Sequence, residues 1–111
     1  MIIYHNPRCG KSRNALQALQ NHQCEVIEYL KNPLSVEELK SLSKKLGLPP
    51  SEFVRKKEPV YHTLFGNHKP SDEEIYLAIS QNPILLERPI VVKGNQAWIV
   101  RSEEAIQQLQ K

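Results

Sequence analysis

The chain lacks several features that would assign it to a membrane or to an export pathway. No apolar run approaches the ~20 residues that a membrane-spanning helix needs, and the N-terminus has no long apolar stretch of the kind found in signal peptides. Cysteine is scarce, with two among 111 residues. Two cysteines without an export signal favour the reducing cytoplasm, where Cys9 is expected to be a free thiol.

A strong charge of either sign is also lacking. The net charge is +3, and no dense block of lysine and arginine occurs. A surplus this small does not indicate a nucleic-acid-binding surface, although it suits a small anionic substrate. A chain of 111 residues fits one domain with one core, residues 1–111. We expect a monomer with neither a nucleic-acid nor a membrane partner.

The clearest chemical signal is the run His5-Asn6-Pro7-Arg8-Cys9-Gly10-Lys11-Ser12. Residues 1–4 favour a strand, and residues 12–19 predict a helix with Ser12 as its capping residue. A cysteine between a strand and a helix N-terminus lies near unpaired backbone N–H groups and the positive end of the helix dipole, which both favour the thiolate. We therefore predict that Cys9 is a reactive nucleophile.

The helix alone is too weak to activate this thiol. A free thiol titrates near ~8.5, and lowering its pKa by about two units requires roughly 2.7 kcal/mol. A helix terminus supplies about 0.3–1 kcal/mol. Hydrogen bonds or a neighbouring cation must supply the rest, and the candidates are His5 and the arginines Arg8 and Arg13. The alternative interpretation of Cys9 is a small buried apolar side chain.

Three better-known motifs do not fit this loop. A nucleotide-binding P-loop ending at Gly10-Lys11-Ser12 needs a glycine where His5 stands. A thioredoxin-type redox pair needs a second cysteine in place of Ser12. A phosphatase-type loop would need an arginine where Ala15 stands. The loop therefore indicates a single-thiol nucleophile beside an anion-binding turn.

The rest of the chain predicts the order β-α-β, a helical middle, then β-β-α. The predicted elements are a strand over 24–30, a helix from the Ser35 capping box to Gly47, a short helix from Pro49, an irregular connector over 61–69, a helix from the Ser71 capping box to Asn82, strands over 90–93 and 96–100 around the turn Gly94-Asn95, and a last helix from Arg101. This order predicts an α/β fold with a four-stranded mixed sheet flanked by helices and a helical insertion over about 34–82.

Two arginines are placed to join Cys9 at one edge of that sheet. Arg88 precedes the third strand and Arg101 follows the fourth, so either could reach the loop after the first strand. Arg55 lies in a charged stretch that on its own reads as a solvated face. We interpret Cys24 as structural, because no helix terminus or cluster of cations surrounds it.

Three separated runs resemble the glutaredoxin-coupled arsenate reductase (ArsC-like) family. They are His5 to Asn14, Leu86-Glu87-Arg88-Pro89-Ile90-Val91-Val92 and Arg101-Ser102-Glu103. The likeness spans essentially the whole chain, including Asn82-Pro83-Ile84-Leu85 and the segment around Arg55. It implies a thioredoxin-like fold with a helical insertion and a cis peptide bond at Arg88-Pro89.

The resemblance also implies a reaction at Cys9. In this family the corresponding cysteine attacks the arsenic of arsenate and forms a covalent adduct. Glutathione then displaces it, and glutaredoxin resolves the mixed species to release arsenite. We therefore expect no bound cofactor and no metal, with glutathione and glutaredoxin as external reductants.

The resemblance assigns further residues to the site. His5 and Ser12 correspond to the catalytic-loop histidine and hydroxyl, and Arg55, Arg88 and Arg101 to the anion-binding arginines. The assignment of the three arginines is physically reasonable, because a guanidinium group binds an oxyanion such as arsenate bidentately.

Two other functions compete with arsenate reduction. One is an Spx-like transcriptional regulator that binds RNA polymerase, and the other is a thiol oxidoreductase acting on another oxyanion or on a glutathione mixed disulfide. Spx-type proteins usually carry a two-cysteine switch in the loop, which Ser12 removes. The three arginines also favour catalysis over regulation. We therefore favour the reductase.

Overall fold

The computed structural model describes residues 1–18 and 25–100. In that part of the chain the strands and helices are, in order, β1 (Ile2–His5), α1 (Gly10–Ala18), β2 (Glu25–Glu28), α2 (Val36–Leu46), α3 (Pro59–Phe65), α4 (Asp72–Gln81), β3 (Ile90–Lys93) and β4 (Gln96–Ile99). Short 3₁₀ helices occupy Pro50–Glu52 and Pro83–Leu85. Cys24, Arg101 and the helix expected after Arg101 lie outside the described residues.

The four strands form one mixed sheet in the order β2-β1-β3-β4. β1 runs parallel to β2 and antiparallel to β3, and β3 and β4 form the expected hairpin around Gly94-Asn95. Ile90, Val91 and Val92 are all buried. Because successive side chains of a strand point to opposite faces of the sheet, both faces are covered at β3. The predicted fold class, an α/β fold with a mixed four-stranded sheet, is confirmed.

The chain divides into two compact units. The first contains the described residues of Met1–Asn32 and those from Arg88 onward, which include the sheet and α1. The second, Pro33–Glu87, contains α2, α3 and α4. The helical insertion expected over about 34–82 falls within the second unit. That residues 1–111 make up a single domain stays a prediction.

Local hydrogen bonds explain where two helices of the second unit begin. Ser35 and Ser71 each accept the backbone N–H of a glutamate three residues later, and that glutamate accepts the backbone N–H of the serine. Both predicted capping boxes are therefore confirmed. Inward-facing residues of the two helices are buried, among them Leu39, Leu42, Ile75 and Ile79. α2 ends at Gly47, whose φ of 68° is of the left-handed kind that glycine tolerates.

Two expectations for the element bounds were wrong. Residues 61–69 do not form an irregular connector, because α3 spans Pro59–Phe65. Proline at a first helical position needs no hydrogen-bond partner for a backbone N–H, and the rings of Tyr61 and Phe65, one turn apart, pack 5.1 Å from each other. The second strand was expected over 24–30, but β2 ends at Glu28, whose carbonyl accepts two turn hydrogen bonds, from Lys31 and Asn32.

Within the described ranges, no helix is long and apolar enough to cross a membrane.

Candidate active site

The strand register brings several predicted site residues to one edge of the sheet. Tyr4 of β1 lies opposite Ile90 of β3, and the two strands are antiparallel. The carboxyl end of β1 and the amino end of β3 therefore meet at the same edge. The loop that carries Cys9 leaves β1 at this edge, and Arg88 enters β3 there, as expected from the sequence.

A tight turn positions the cysteine after β1. The carbonyl of Asn6 accepts the backbone N–H of Cys9 at 3.0 Å, and the Asn6 side-chain Oδ1 accepts the N–H of Arg8 at 3.0 Å. Pro7 stands at the second position of the turn, where its fixed φ is suited. No described residue other than glycine has a positive φ, so the turn is of type I. Two hydrogen bonds to one buried asparagine thus fix the backbone that leads to Cys9.

Cys9 occupies the N-cap position of α1. Its carbonyl accepts the N–H of Arg13 at 3.0 Å, which is the first hydrogen bond of the helix. Its side chain is partly exposed, as a nucleophile requires. The first backbone N–H groups of a helix have no partner within it, and in α1 they follow directly after this thiol.

The expectation that Ser12 caps α1 was wrong. The helix begins at Gly10, so Ser12 lies in the first turn, and its side chain is fully buried. Its hydroxyl oxygen accepts the backbone N–H of Asn6 at 3.0 Å and lies 2.8 Å from Nδ1 of His5. Ser12 therefore joins the end of β1, the turn and the helix, which sequence-based capping rules do not reveal.

Burial favours the neutral form of His5 by lowering its pKa. The residue is 6% exposed. This burial is the main cause that lowers the pKa of His5 below its ordinary value of 6.5. The carboxylate of Glu28 and the hydrogen bond with Ser12 oppose that shift, and the charge of Arg13 adds to it. The lowered pKa disfavours the cationic form of His5, and its ring nitrogen Nδ1 is engaged with the hydroxyl of Ser12.

The cationic candidates in the loop are its arginines. Nη2 of Arg13 lies 3.9 Å from the point where a Cβ on Gly10 would stand, so this guanidinium folds back along the first turn of α1. Both Arg8 and Arg13 are exposed. After burial, which is the main cause, the positive charge of Arg13 also lowers the pKa of His5. Glu28 acts on the same histidine from the next strand, where it is the register partner of His5; this pairing depends on the strand register and has no local signal in the sequence.

The expected cis peptide bond at Arg88-Pro89 is present. Arg88 is partly exposed and Pro89 is buried. The carbonyl of Pro89 accepts the N–H of Val100 at 2.9 Å, so the residue before Arg101 is fixed at this end of the hairpin.

Arg55 belongs to the second unit, where its backbone and side chain are both held. Its N–H donates to the carbonyl of Leu85 at 2.7 Å. Its Nη1 lies 2.7 Å from Oε1 of Glu58 and 3.4 Å from the carbonyl of Ile84. Glu58 has a sequence signal of its own, because an arginine and a glutamate three residues apart can form an ion pair.

Within residues 1–18 and 25–100, no group of three or more histidine, cysteine, aspartate or glutamate side chains is arranged to hold a metal ion. The chemically active features described at the sheet edge are a partly exposed thiol, a helix N-terminus and guanidinium groups. Such a set suits nucleophilic attack by sulfur on an anionic substrate.

Residues 4–109 match the ArsC family. The chain belongs to this family. The arsenate reductase of Haemophilus influenzae is 43% identical over 110 residues, which cover 96% of this chain and 95% of that protein. The arsenate reductase of Rhizobium meliloti is 40% identical over 109 residues, covering 96% of this chain and 78% of that protein.

Solved structures agree with this family assignment. The structure of an arsenate reductase from Vibrio cholerae superimposes with a TM-score of 0.89 at 42% sequence identity, covering 96% of this chain and 94% of that one. The thioredoxin-like fold that the sequence resemblance implied is therefore confirmed for this ArsC-family chain.

Proposed function

We propose that this ArsC-family chain is an oxidoreductase that converts arsenate into arsenite through a covalent adduct on Cys9. One structural observation carries the proposal. Cys9, the N-cap residue of α1, is a partly exposed thiol in a turn fixed by Asn6 and Ser12. The similarity to arsenate reductases over nearly the full length supports the identity of the substrate.

Cys9 acts as the nucleophile in this proposal. Its thiolate attacks the arsenic atom, an S–As bond forms, and the bond from arsenic to one hydroxyl ligand breaks; that hydroxyl takes up a proton from solvent and leaves as water. The adduct keeps arsenic in the As(V) state. Two electrons are then needed to reach As(III), and they come from thiols outside the site. We assign them to glutathione and glutaredoxin, because the residue three positions after Cys9 is the serine Ser12, not a second cysteine.

His5 and Ser12 position the loop for this attack. Ser12 is fully buried and bonds to the backbone of Asn6, so its hydroxyl holds the turn before Cys9. Neutral His5 stands on the other side of that hydroxyl and keeps a second hydrogen bond to it. A turn held in this way keeps the sulfur in one orientation, which favours attack on a bound substrate.

Arg55, Arg88 and Arg101 are the proposed ligands of the oxyanion. Planar guanidinium groups match the oxygen spacing of arsenate and stabilise negative charge that develops during attack. Support for Arg88 comes from the register of β1 and β3, which brings it to the edge that carries the Cys9 loop. Arg101 follows Val100, whose backbone is tied to Pro89 at the same end of the hairpin.

We also propose that the protein binds no cofactor and that it acts in the cytoplasm. Glutathione and glutaredoxin thiols are kept reduced in the cytoplasm, and the Cys9 thiol would stay reduced there as well.

Arsenite release tests the proposal directly. Purified protein is incubated with arsenate, glutathione and glutaredoxin, beside the variants Cys9→Ser and Cys24→Ser. We expect turnover by the wild type and by Cys24→Ser, and none by Cys9→Ser, because a hydroxyl is not ionised at neutral pH. Turnover retained by Cys9→Ser would move the nucleophile elsewhere. Turnover absent from the wild type would overturn the arsenate assignment.

A further inference from the structure

Glu58 is placed where a helix-capping side chain would stand but does not cap. It is the N-cap residue of α3, and its carboxylate makes no hydrogen bond to the first N–H groups of that helix. Its Oε1 lies 2.7 Å from Nη1 of Arg55 instead. Glutamate is not among the residues that favour the N-cap position, so helix capping does not explain this residue.

The pair is shielded from solvent more than a typical surface ion pair. The side chains of Arg55 and Glu58 are 22% and 19% exposed, whereas the pair of Lys40 and Glu73 in the same unit is 45% and 70% exposed. Ion pairs in open solvent hold a side chain only loosely, because water competes for both partners. Partial burial makes the contact with Glu58 a firmer constraint on the guanidinium.

The backbone around the pair is fixed as well. The Glu58 N–H donates to the carbonyl of Arg55 at 3.2 Å and closes a four-residue turn. On the other side of this turn, the Arg55 N–H donates to the carbonyl of Leu85, and Val54 pairs with Leu86. Both ends of the ion pair therefore start from backbone that is held in place.

In the part of the chain that the structure describes, the side-chain contacts of Arg55 involve a single guanidinium nitrogen, Nη1. Nη1 faces Glu58 and, at 3.4 Å, the carbonyl of Ile84. Among the residues that the structure describes, Nε and Nη2 of Arg55 have no such partner. The edge formed by Nε and Nη2 is one that can bind two oxygens of an oxyanion.

We propose that Glu58 is a positioning residue, which fixes Arg55 through Nη1 so that the Nε–Nη2 edge is ready to bind arsenate. This inference rests on the proposed function, because it takes Arg55 to be a ligand of the oxyanion. An arginine held before the substrate arrives loses less rotamer freedom on binding. Glu58 thus lowers the arsenate concentration that the enzyme needs, without touching the substrate.

Two substitutions separate position from charge. Glu58→Gln and Glu58→Ala both remove the negative charge, but glutamine keeps an oxygen that accepts from Nη1 and alanine does not. We expect the KM for arsenate of Glu58→Ala to be ~3- to 10-fold above that of Glu58→Gln, with kcat of the two within about twofold. Glu58→Gln should stay within about threefold of the wild type.

Two further variants control for folding and for charge. Glu58→Ser supplies a favoured N-cap residue for α3 but is too short to reach Arg55, so it should fold well and still show the raised KM. Glu73→Ala removes a carboxylate from the ion pair with Lys40, 2.9 Å long in the same unit, and should leave KM unchanged.

The results separate this inference from the proposed function. Turnover by the wild type with equal KM values for Glu58→Gln and Glu58→Ala overturns the positioning role of Glu58 and leaves the reductase intact. A fall in melting temperature for Glu58→Ala with KM unchanged does the same, since Glu58 would then be structural. A wild type without arsenate turnover overturns the proposed function, and the role of Glu58 falls with it.

Discussion

The hydroxyl oxygen of Ser12 lies 2.8 Å from Nδ1 of His5 and accepts the backbone N–H of Asn6 at 3.0 Å. All three residues are buried. One oxygen atom thus links the last residue of β1, the turn before Cys9 and the first turn of α1. Because the Cys9 backbone is bonded to Asn6 on one side and to Arg13 on the other, this link constrains the position of the thiol.

Ser12→Ala should lower both stability and activity. The substitution leaves the buried N–H of Asn6 and Nδ1 of His5 without the hydroxyl, and an unsatisfied buried polar group costs about 1–3 kcal/mol. Urea unfolding measures the stability, and arsenite release measures kcat/KM. Ser41→Ala, at an exposed position of α2, is the matched control and should change the stability by less than about 0.5 kcal/mol. Equal stability for Ser12→Ala and the wild type would show that the hydrogen bonds of Ser12 contribute nothing net.

The stability that His5 confers should depend on pH. Burial lowers its pKa in the folded protein, so below the ordinary value of 6.5 the unfolded chain takes up a proton that the folded chain does not. The free energy of unfolding therefore falls as the pH drops through 6.5, and this loss levels off below the folded-state pKa. His5→Asn removes the titrating group while keeping a polar side chain. The gap in unfolding free energy between wild type and variant should shrink from about pH 7.5 to about pH 5.5. A gap that widens toward acid would mean that the folded protein favours the charged histidine.

The sheet and the two capped helices were predictable because their signals are local. A capping box needs only a serine and a glutamate three residues apart, and Ser35 and Ser71 both supply one. A hairpin needs only a short turn between two apolar runs, as at Gly94-Asn95. The helix α3 also has a local signal, because Tyr61, Leu64 and Phe65 are spaced three and four residues apart. The charged stretch before Pro59 obscured where this helix begins.

The spacing of Arg55 and Glu58 allows an ion pair, but neither that contact nor the role of Ser12 is fixed by the sequence, because each side chain has more than one possible partner. Ser12 suits the N-cap position by residue type, but α1 begins at Gly10 after the turn closed by Cys9 and Asn6, and the Ser12 hydroxyl bonds to the backbone of Asn6 instead. The Glu58 side chain could contact either the N-terminus of α3 or the Arg55 guanidinium. In the folded chain it contacts Arg55. The predicted role of Cys9 needed neither detail, since it rests on the junction between a strand and a helix.

Arg13 should contribute to the lowered pKa of His5. Burial is the main cause of that shift, and the positive charge of the Arg13 guanidinium, which folds back along the first turn of α1, adds to it. Arg13→Gln should therefore raise that pKa, as measured by an NMR titration of the His5 ring. Arg8→Gln is the matched control, since Arg8 is an exposed arginine of the same loop whose charge is not among the causes of the shift. An unchanged His5 titration in Arg13→Gln would place the Arg13 guanidinium away from the histidine in solution.

Arg88→Lys should reduce kcat/KM for arsenate by about 10- to 100-fold, more than conservation of charge suggests. An ammonium group cannot make the two parallel hydrogen bonds of a guanidinium, and hydrogen bonds to charged groups contribute about 1.5–3 kcal/mol each. Arg8→Lys, in the exposed part of the Cys9 loop, should stay within about twofold of the wild type. If Arg88→Lys were as active as the wild type while Arg88→Ala were inactive, Arg88 would act as a point charge, and the bidentate contact would have to come from Arg55 or Arg101.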